Sequence, residues 1–136
     1  MKKVKSILAT MMLVALVSIS GYAQNQAKVI AVINKADWCP ACQQNGERAM
    51  AAFSESNKDL AIQFVANDLT NDETKAKSAI ELKKLGVDKA IAEYNGTGVA
   101  YFFNAETKAL ISQISVAKSN EELALACDAA KKAAKL

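Results

Sequence analysis

The chain has 136 residues, 51% hydrophobic and 23% charged, which indicates one globular domain with its own hydrophobic core. It has three Cys and no His, which excludes every catalytic arrangement that needs an imidazole and leaves too few ligands for a four-ligand structural zinc site. The net charge of +3 comes from Lys2, Lys3 and Lys5, so the rest of the chain is balanced and has no basic surface for nucleic acid.

The start of the chain has the pattern of a secretory signal. Three Lys precede a largely apolar run over residues 7–19, and this run is followed by the small residues Gly21 and Ala23. We therefore predict a signal over residues 1–23, cleaved after Ala23. The apolar run is shorter than the roughly 20 residues that cross a bilayer, so we expect no stable membrane insertion; an uncleaved anchor is the alternative. Residues 24–136 would then form one domain in an oxidising, extracytoplasmic compartment, which we predict to be a bacterial periplasm.

The first half of this domain has the pattern of a strand, a helix and a second strand. Residues 28–34 are mostly β-branched and apolar, which predicts a strand buried on both faces. A helix is predicted over residues 40–56, with Pro40 suited to its first position. A second apolar run predicts a strand over residues 60–66.

The second half is predicted to contain a helix, a hairpin and a closing helix. Acidic residues open a helix over residues 72–85, which ends in Lys residues, and a short helical turn follows over residues 88–93. Two apolar runs, at residues 99–103 and 109–115, predict a hairpin. A closing helix is predicted over residues 120–135, with Ser or Asn as its N-cap.

The predicted order is therefore β-α-β-α-β-β-α. A parallel βαβ unit followed by an antiparallel hairpin gives a mixed sheet of four strands. Right-handed crossovers place helices on both faces of that sheet. The fold class is accordingly α/β, an α/β/α sandwich with the mixed sheet at its centre.

The segment with chemical function is Trp38-Cys39-Pro40-Ala41-Cys42, where the first strand gives way to the first helix. Two Cys three residues apart at a helix start lie on one turn, close enough to bridge. The unpaired N–H groups and the positive dipole end of the helix favour a thiolate at Cys39. A thiolate attacks disulfides, and a second thiol such as Cys42 resolves the mixed disulfide. A structural disulfide or a pair of metal ligands is the alternative interpretation of the two Cys.

This segment and the strand before it resemble the active-site region of the thioredoxin superfamily, in particular its periplasmic members. The resemblance implies the thioredoxin-like sandwich over residues 28–136, with Cys39 as nucleophile, Cys42 as resolving thiol and a redox disulfide between them. It further implies that Trp38 flanks the pair and packs over it, and that Pro40 and Ala41 tune its redox potential.

The chain departs from the family pattern at the cis-proline, at the buried Asp and at a helix proline, whose position is Glu47 here. Thioredoxins carry a cis-proline before a hairpin strand, facing the Cys pair; the resemblance places Val99 and Ala100 there. Because a cis bond without proline costs about 2.5–4 kcal/mol, we expect a trans Val99–Ala100 bond. Thioredoxins also bury an Asp six residues before the first Cys, where this chain has Ile33. The residues 95–98 belong to a loop that the resemblance puts beside the Cys pair.

The leading functional prediction is an exported thiol:disulfide oxidoreductase, a disulfide reductase or electron carrier, that uses no cofactor and no metal. Its partners would be protein thiols and disulfides, with a membrane thiol reductase as electron donor, and the protein would be a monomer. The alternative is a thioredoxin-fold binding module without turnover, in which the Cys pair holds a metal or an iron–sulfur cluster or forms a structural disulfide. The third cysteine, Cys127, lies on the apolar face of the closing helix and is expected to be buried.

Overall fold

The computed structural model describes residues 27–135, so the predicted signal over residues 1–23 lies outside the described part. The predicted element order is confirmed. In chain order the elements are β1 (Val29–Lys35), α1 (Pro40–Glu55), β2 (Ile62–Asp68), α2 (Asp72–Lys84), α3 (Asp88–Ile91), β3 (Val99–Asn104), β4 (Leu110–Ser115) and α4 (Asn120–Ala134).

The four strands form one mixed sheet in the order β2-β1-β3-β4. β1 and β2 run parallel, whereas β1 with β3 and β3 with β4 are antiparallel. The parallel pair is connected through α1, as a βαβ unit requires. The sheet therefore matches the predicted mixed sheet of four strands, with β1 at its centre.

Two hydrophobic clusters lie on opposite faces of this sheet. The first joins the sheet to α1 and α4 and includes Phe53, Phe102 and Leu123. The second joins the sheet to α2 and α3 and includes Leu82 and Phe103. Because β1 has residues in both clusters, it is buried on both faces, as its β-branched sequence predicts. The α/β/α sandwich is thus confirmed.

The second strand begins two residues later than predicted. Leu60 has a positive φ of 58° and is 71% exposed, so it belongs to the turn after α1. The Asn57 side chain fixes this turn: its amide accepts a hydrogen bond from the backbone N–H of Ile62 at 3.0 Å and donates one to the carbonyl of Ile62 at 2.8 Å. β2 can therefore start only at Ile62.

Cys127 is fully buried in α4, in the same cluster as Leu123 and Phe53. Burial raises the pKa of its thiol to about 11, so the thiol stays protonated at neutral pH. The expected role as a small core residue is therefore confirmed. No helix within residues 27–135 has the length and apolar character to cross a membrane.

Candidate functional site

The two cysteines lie at the start of α1, just beyond the end of the central strand. A tight turn, closed by the hydrogen bond from the Cys39 N–H to the Ala36 carbonyl at 3.1 Å, connects β1 to the helix. Cys39 is the N-cap residue in an extended conformation, and Pro40 is the first helical residue. The Cys39 sulfur accepts a hydrogen bond from the backbone N–H of Cys42 at 3.3 Å. A cysteine here performs the capping role that usually falls to Ser, Thr, Asp or Asn.

The thiols of Cys39 and Cys42 are in direct contact. Their Sγ atoms are 2.6 Å apart, and both residues are free cysteines. Two thiols in direct contact at a helix start can form a disulfide with little movement of the backbone. Cys39 is 2% exposed, whereas Cys42 is half-buried.

The surroundings of the two thiols shift their acidities in opposite directions. Burial acts to raise the pKa of Cys39, but hydrogen bonds to its sulfur from Cys42, Thr97 and the Ala41 backbone outweigh it, and the net pKa is lowered. Burial raises the pKa of Cys42, and the hydrogen bond that its thiol donates to Cys39 raises it further. At a pH between the two values, Cys39 is the thiolate and Cys42 keeps its proton.

A loop between α3 and β3 brings Gly98 against both sulfurs. A Cβ atom on Gly98 would lie 3.4 Å from Cys39 Sγ, 3.7 Å from Cys42 Sγ and 3.1 Å from the Cβ of Ala41. Gly98 also has a positive φ of 72°, a conformation that favours glycine. Thr97, in the same loop, is one of the groups that lower the pKa of Cys39. This loop covers residues 95–98, the segment that the sequence resemblance puts beside the Cys pair.

The structure corrects the residue that faces the thiols. The sequence comparison put Ala100 there, but Ala100 is fully buried within β3, opposite Ile33 and Ile114 in the sheet register. Val99 begins β3 and is half-buried. Gly98, two residues before Ala100, lies against the sulfurs, because β3 starts at Val99 and the loop before it reaches the start of α1. No peptide bond within residues 27–135 is cis, so the Val99–Ala100 bond is trans, as expected.

Trp38 directly precedes Cys39 and is 58% exposed. Its Nε1–H donates a hydrogen bond to the Thr70 carbonyl at 3.2 Å, and the Asp37 N–H donates one to Thr70 Oγ1 at 3.0 Å. The Thr70 hydroxyl in turn donates to Asp68 Oδ1 at 2.5 Å. The turn that carries Trp38 is thus attached to the loop after β2, a contact that the sequence did not predict.

A buried pair of asparagines lies behind the site, and sequence reasoning missed it. Asn34 in β1 and Asn67 in β2 are register partners, and the Asn67 Nδ2 donates to the Asn34 Oδ1 at 2.9 Å. Asn34 is completely buried. A polar residue near the end of an otherwise apolar buried strand is the signal that could have revealed it, because a buried amide needs hydrogen-bonding partners.

A cleft of about 780 Å³ opens between α1 and the β1–β2 part of the sheet. Its mostly apolar walls include Ile33, Met50 and Phe64, and the Cys42 side of α1 borders it. Ile33, where the resemblance leads one to expect a buried acid, is apolar, and the acidic residues that line the cleft are Asp37 and Glu47. Gly46, also in the cleft, has nothing within 4 Å of the position of a Cβ atom. The cleft therefore gives Cys42 its partial access to solvent.

Residues 27–135 contain no cluster of three or more His, Cys, Asp or Glu side chains arranged to hold a metal ion. The two thiols lack additional side-chain ligands of these types. The described site consists of a dithiol, the hydrogen-bond donors around Cys39 and the loop that carries Gly98.

The strand order, the helices on both faces and the Cys pair at the start of α1 define a protein of thioredoxin-like fold. No family model and no curated protein matches the chain. Several solved structures resemble it. Trxlp from Edwardsiella tarda EIB202 is 17% identical, with a TM-score of 0.49 over 79% of this chain and 91% of that chain. StoA from Bacillus subtilis is 14% identical, with a TM-score of 0.49 over 74% of this chain and 83% of that chain.

A secreted Mycobacterium tuberculosis disulfide oxidoreductase, homologous to E. coli DsbE, is 22% identical. Its TM-score is 0.47, and the alignment covers 79% of this chain and 85% of that chain. What each of these neighbours does is a property of that neighbour.

Proposed function

We propose that this protein is an exported thiol:disulfide oxidoreductase in which Cys39 and Cys42 exchange electrons with protein disulfides. The observation that carries the proposal is the contact of two free thiols, 2.6 Å apart, at a helix start. Their surroundings lower the pKa of Cys39 and raise that of Cys42. Cys39 is thereby favoured as the attacking thiolate, while Cys42 keeps its proton until the second step.

The proposed reaction transfers two electrons. The Cys39 thiolate attacks one sulfur of the substrate disulfide, forms a mixed disulfide and releases the other substrate sulfur as a thiolate, which takes up a proton. Cys42 then loses its proton and attacks the Cys39 sulfur, which releases the second substrate thiol. The substrate disulfide is reduced to two thiols, and the Cys39–Cys42 pair is oxidised to a disulfide. A membrane thiol reductase is the proposed donor of the two electrons that restore the dithiol.

Access to Cys39 is the step that the loop at residues 95–98 controls in this proposal. Cys39 is 2% exposed, and Gly98 lies against its sulfur. A substrate sulfur must approach the Cys39 sulfur in line with the bond that breaks. The loop that carries Gly98 must therefore move aside for the mixed disulfide to form.

The test is the reduction of insulin by dithiothreitol in the presence of the purified protein. We expect the protein to accelerate the reduction, Cys39→Ser to abolish the acceleration and Cys127→Ala to retain it, because Cys127 is buried in α4. No acceleration by the unsubstituted protein would refute the proposal. The alternative function, a binding module without turnover, would then account for the Cys pair.

Export and the compartment are a separate part of the proposal. Their support is the pattern of basic, apolar and small side chains over residues 1–23. We propose that residues 24–136 form the mature domain and that it acts in a bacterial periplasm as a monomer. Expression of the full chain in a bacterium tests this part. We expect a periplasmic product whose mass corresponds to a chain that begins at Gln24. An uncleaved product in the membrane fraction would contradict this part of the proposal.

A further inference from the structure

Asn34 is bonded to both ends of the loop that covers Cys39. Its side-chain Nδ2 donates a hydrogen bond to the Tyr94 carbonyl at 2.9 Å. Its backbone carbonyl accepts a hydrogen bond from the Gly98 N–H at 2.7 Å. A single residue of the central strand thus holds the chain where it leaves α3 and again where it enters β3.

Asn67 orients the amide of Asn34. Its Nδ2 donates to the Asn34 Oδ1 at 2.9 Å, and this leaves the Asn34 Nδ2 directed at Tyr94. Both asparagines are buried, so neither amide can exchange these bonds for water. Burial of two amides is unfavourable unless they are hydrogen-bonded, and an apolar pair would pack here without that requirement. The polar pair therefore has a role that packing does not explain.

The loop's other flank is fixed from the opposite side of the site. The Val116 N–H donates to the Gly98 carbonyl at 2.9 Å, so both backbone polar groups of Gly98 are engaged. Held in this way, Gly98 packs against the sulfur of Cys39. Of these hydrogen bonds, only the one from Asn34 to Tyr94 uses a side chain. It is therefore the one that a substitution can remove.

We propose that Asn34, oriented by Asn67, is a positioning residue that holds the loop at residues 94–98 closed over Cys39 and thereby sets how readily that thiol can be reached. The inference rests on the proposed function for its purpose. Its content, the reactivity of one thiol, can be measured without any turnover.

The test is the double variant Asn34→Leu, Asn67→Leu. Both amides are removed together, because removal of one alone would leave the other amide buried without its hydrogen bond. The rate at which iodoacetamide alkylates Cys39 in the reduced protein is measured against pH, with the modified residue assigned by peptide mapping. We expect the plateau rate at high pH to rise about fivefold, the change that loss of one buried hydrogen bond makes to a local opening equilibrium. The midpoint should move to higher pH, because Thr97 of this loop is among the groups that lower the pKa of Cys39.

Asn57→Ala is the matched control, because Asn57 also ties two chain segments through its amide, to Ile62, at the other end of β2. We expect it to lower thermal stability while plateau and midpoint stay as in the unsubstituted protein. An Asn34/Asn67 variant whose alkylation profile equals that of Asn57→Ala would overturn the proposal, because the pair would then be merely structural.

Two further measurements keep the proposal testable if the double variant does not fold. In Asn34→Ser, the shorter serine side chain does not reach the Tyr94 carbonyl. We therefore expect the same rise of the plateau rate and the same shift of the midpoint. In the unsubstituted protein the Gly98 amide should exchange its hydrogen slowly, and fast exchange would show that the loop is not held. A protein inactive on insulin that still shows these effects would refute the proposed function alone, whereas an active protein with an unchanged profile would refute the positioning role alone.

Discussion

Gly98 stands so close to Cys39 that a single added methyl group would lie 3.4 Å from the cysteine sulfur. This residue combines two constraints, the contact with the thiols and a φ of 72°. Gly86 has the same backbone conformation, with a φ of 73°, but its nearest neighbour is the flexible end of Lys108. The two glycines allow the effect of backbone strain to be separated from the effect of contact with the site.

We therefore expect Gly98→Ala and Gly86→Ala to lose similar stability, about 1–2 kcal/mol each, because alanine is strained at positive φ. Only Gly98→Ala should also impair insulin reduction, by between about tenfold and a hundredfold, because the added methyl group lies against the Cys39 sulfur and hinders the alignment of a substrate disulfide with it. Urea denaturation and the insulin assay measure the two effects. Equal activities of the two variants would show that the contact with Cys39 is unimportant.

Cys42→Ser should trap the mixed disulfide. Cys39 can still attack a substrate disulfide, but a hydroxyl cannot resolve the product, so the variant should accumulate covalently bound substrate. Mass spectrometry of the variant after incubation with oxidised insulin, without reductant, would detect the adduct. The reversed assignment of nucleophile and resolving thiol would be indicated if Cys39→Ser accumulated the adduct and Cys42→Ser did not.

Cys127 should make the stability of the protein depend on alkaline pH. Its folded pKa of about 11 lies above the value of about 8.5 for a free thiol, so the folded state binds the proton more tightly. The resulting stability is present below about pH 8.5 and is lost as pH rises towards 11, by an amount on the order of 2 kcal/mol.

The measurement is the free energy of unfolding in urea at pH 8 and at pH 10.5, for the unsubstituted protein and for Cys127→Ala. We expect a smaller fall with pH in the variant, although the variant is less stable at pH 8 because of the small cavity it creates. Parallel pH dependences in the two proteins would contradict the raised pKa.

Arg48 supports the far side of the site. Its guanidinium donates to the carbonyls of Val116 and Lys118, each at 2.9 Å, and to Asn120 Oδ1 at 2.6 Å. Arg48→Ala should cost about 1.5–3 kcal/mol, as expected for hydrogen bonds from a charged group. Arg48→Lys should recover less than half of that, since an ammonium group lacks the planar fork.

Chemical denaturation measures both variants, with Lys84→Ala as the control. Lys84 forms an exposed ion pair with Glu81 at 3.2 Å, and such pairs contribute about 0–1 kcal/mol. If Arg48→Ala cost no more than Lys84→Ala, the hydrogen bonds of Arg48 would not stabilise the connection that holds Gly98.

Trp38 should report the redox state of the pair, because it is the only tryptophan and directly precedes Cys39. Titration of the protein in glutathione buffers should give a reversible two-electron transition in its fluorescence. Cys39→Ser should abolish the transition. A transition that occurs only after treatment with a chelator would favour the metal-holding alternative.

Most of the secondary structure followed from local sequence patterns. The β-branched run of β1, Pro40 at the start of α1 and the acidic first turns of α2 and α4 are local signals, and each element lies within two residues of its prediction. Among the largest differences is the start of β2, which lies at Ile62, two residues later than predicted. It was decided by the side chain of Asn57, and hydrogen bonds between a turn and a strand have no periodic signature.

The sequence by itself determined the element order, the mixed sheet and the presence of a Cys pair at a helix start, because periodicity, caps and the spacing of two residues are written locally along the chain. Only the tertiary structure decided which residue faces the thiols, Gly98 instead of Ala100, and that Asn34 joins Asn67 and Tyr94 behind them. Those relationships bring together residues 33 to 60 positions apart, and their placement depends on sheet register and on where β3 begins. Register is set by the packing of whole strands, so the chemistry of the pair could be expected from five residues, while its surroundings required the fold.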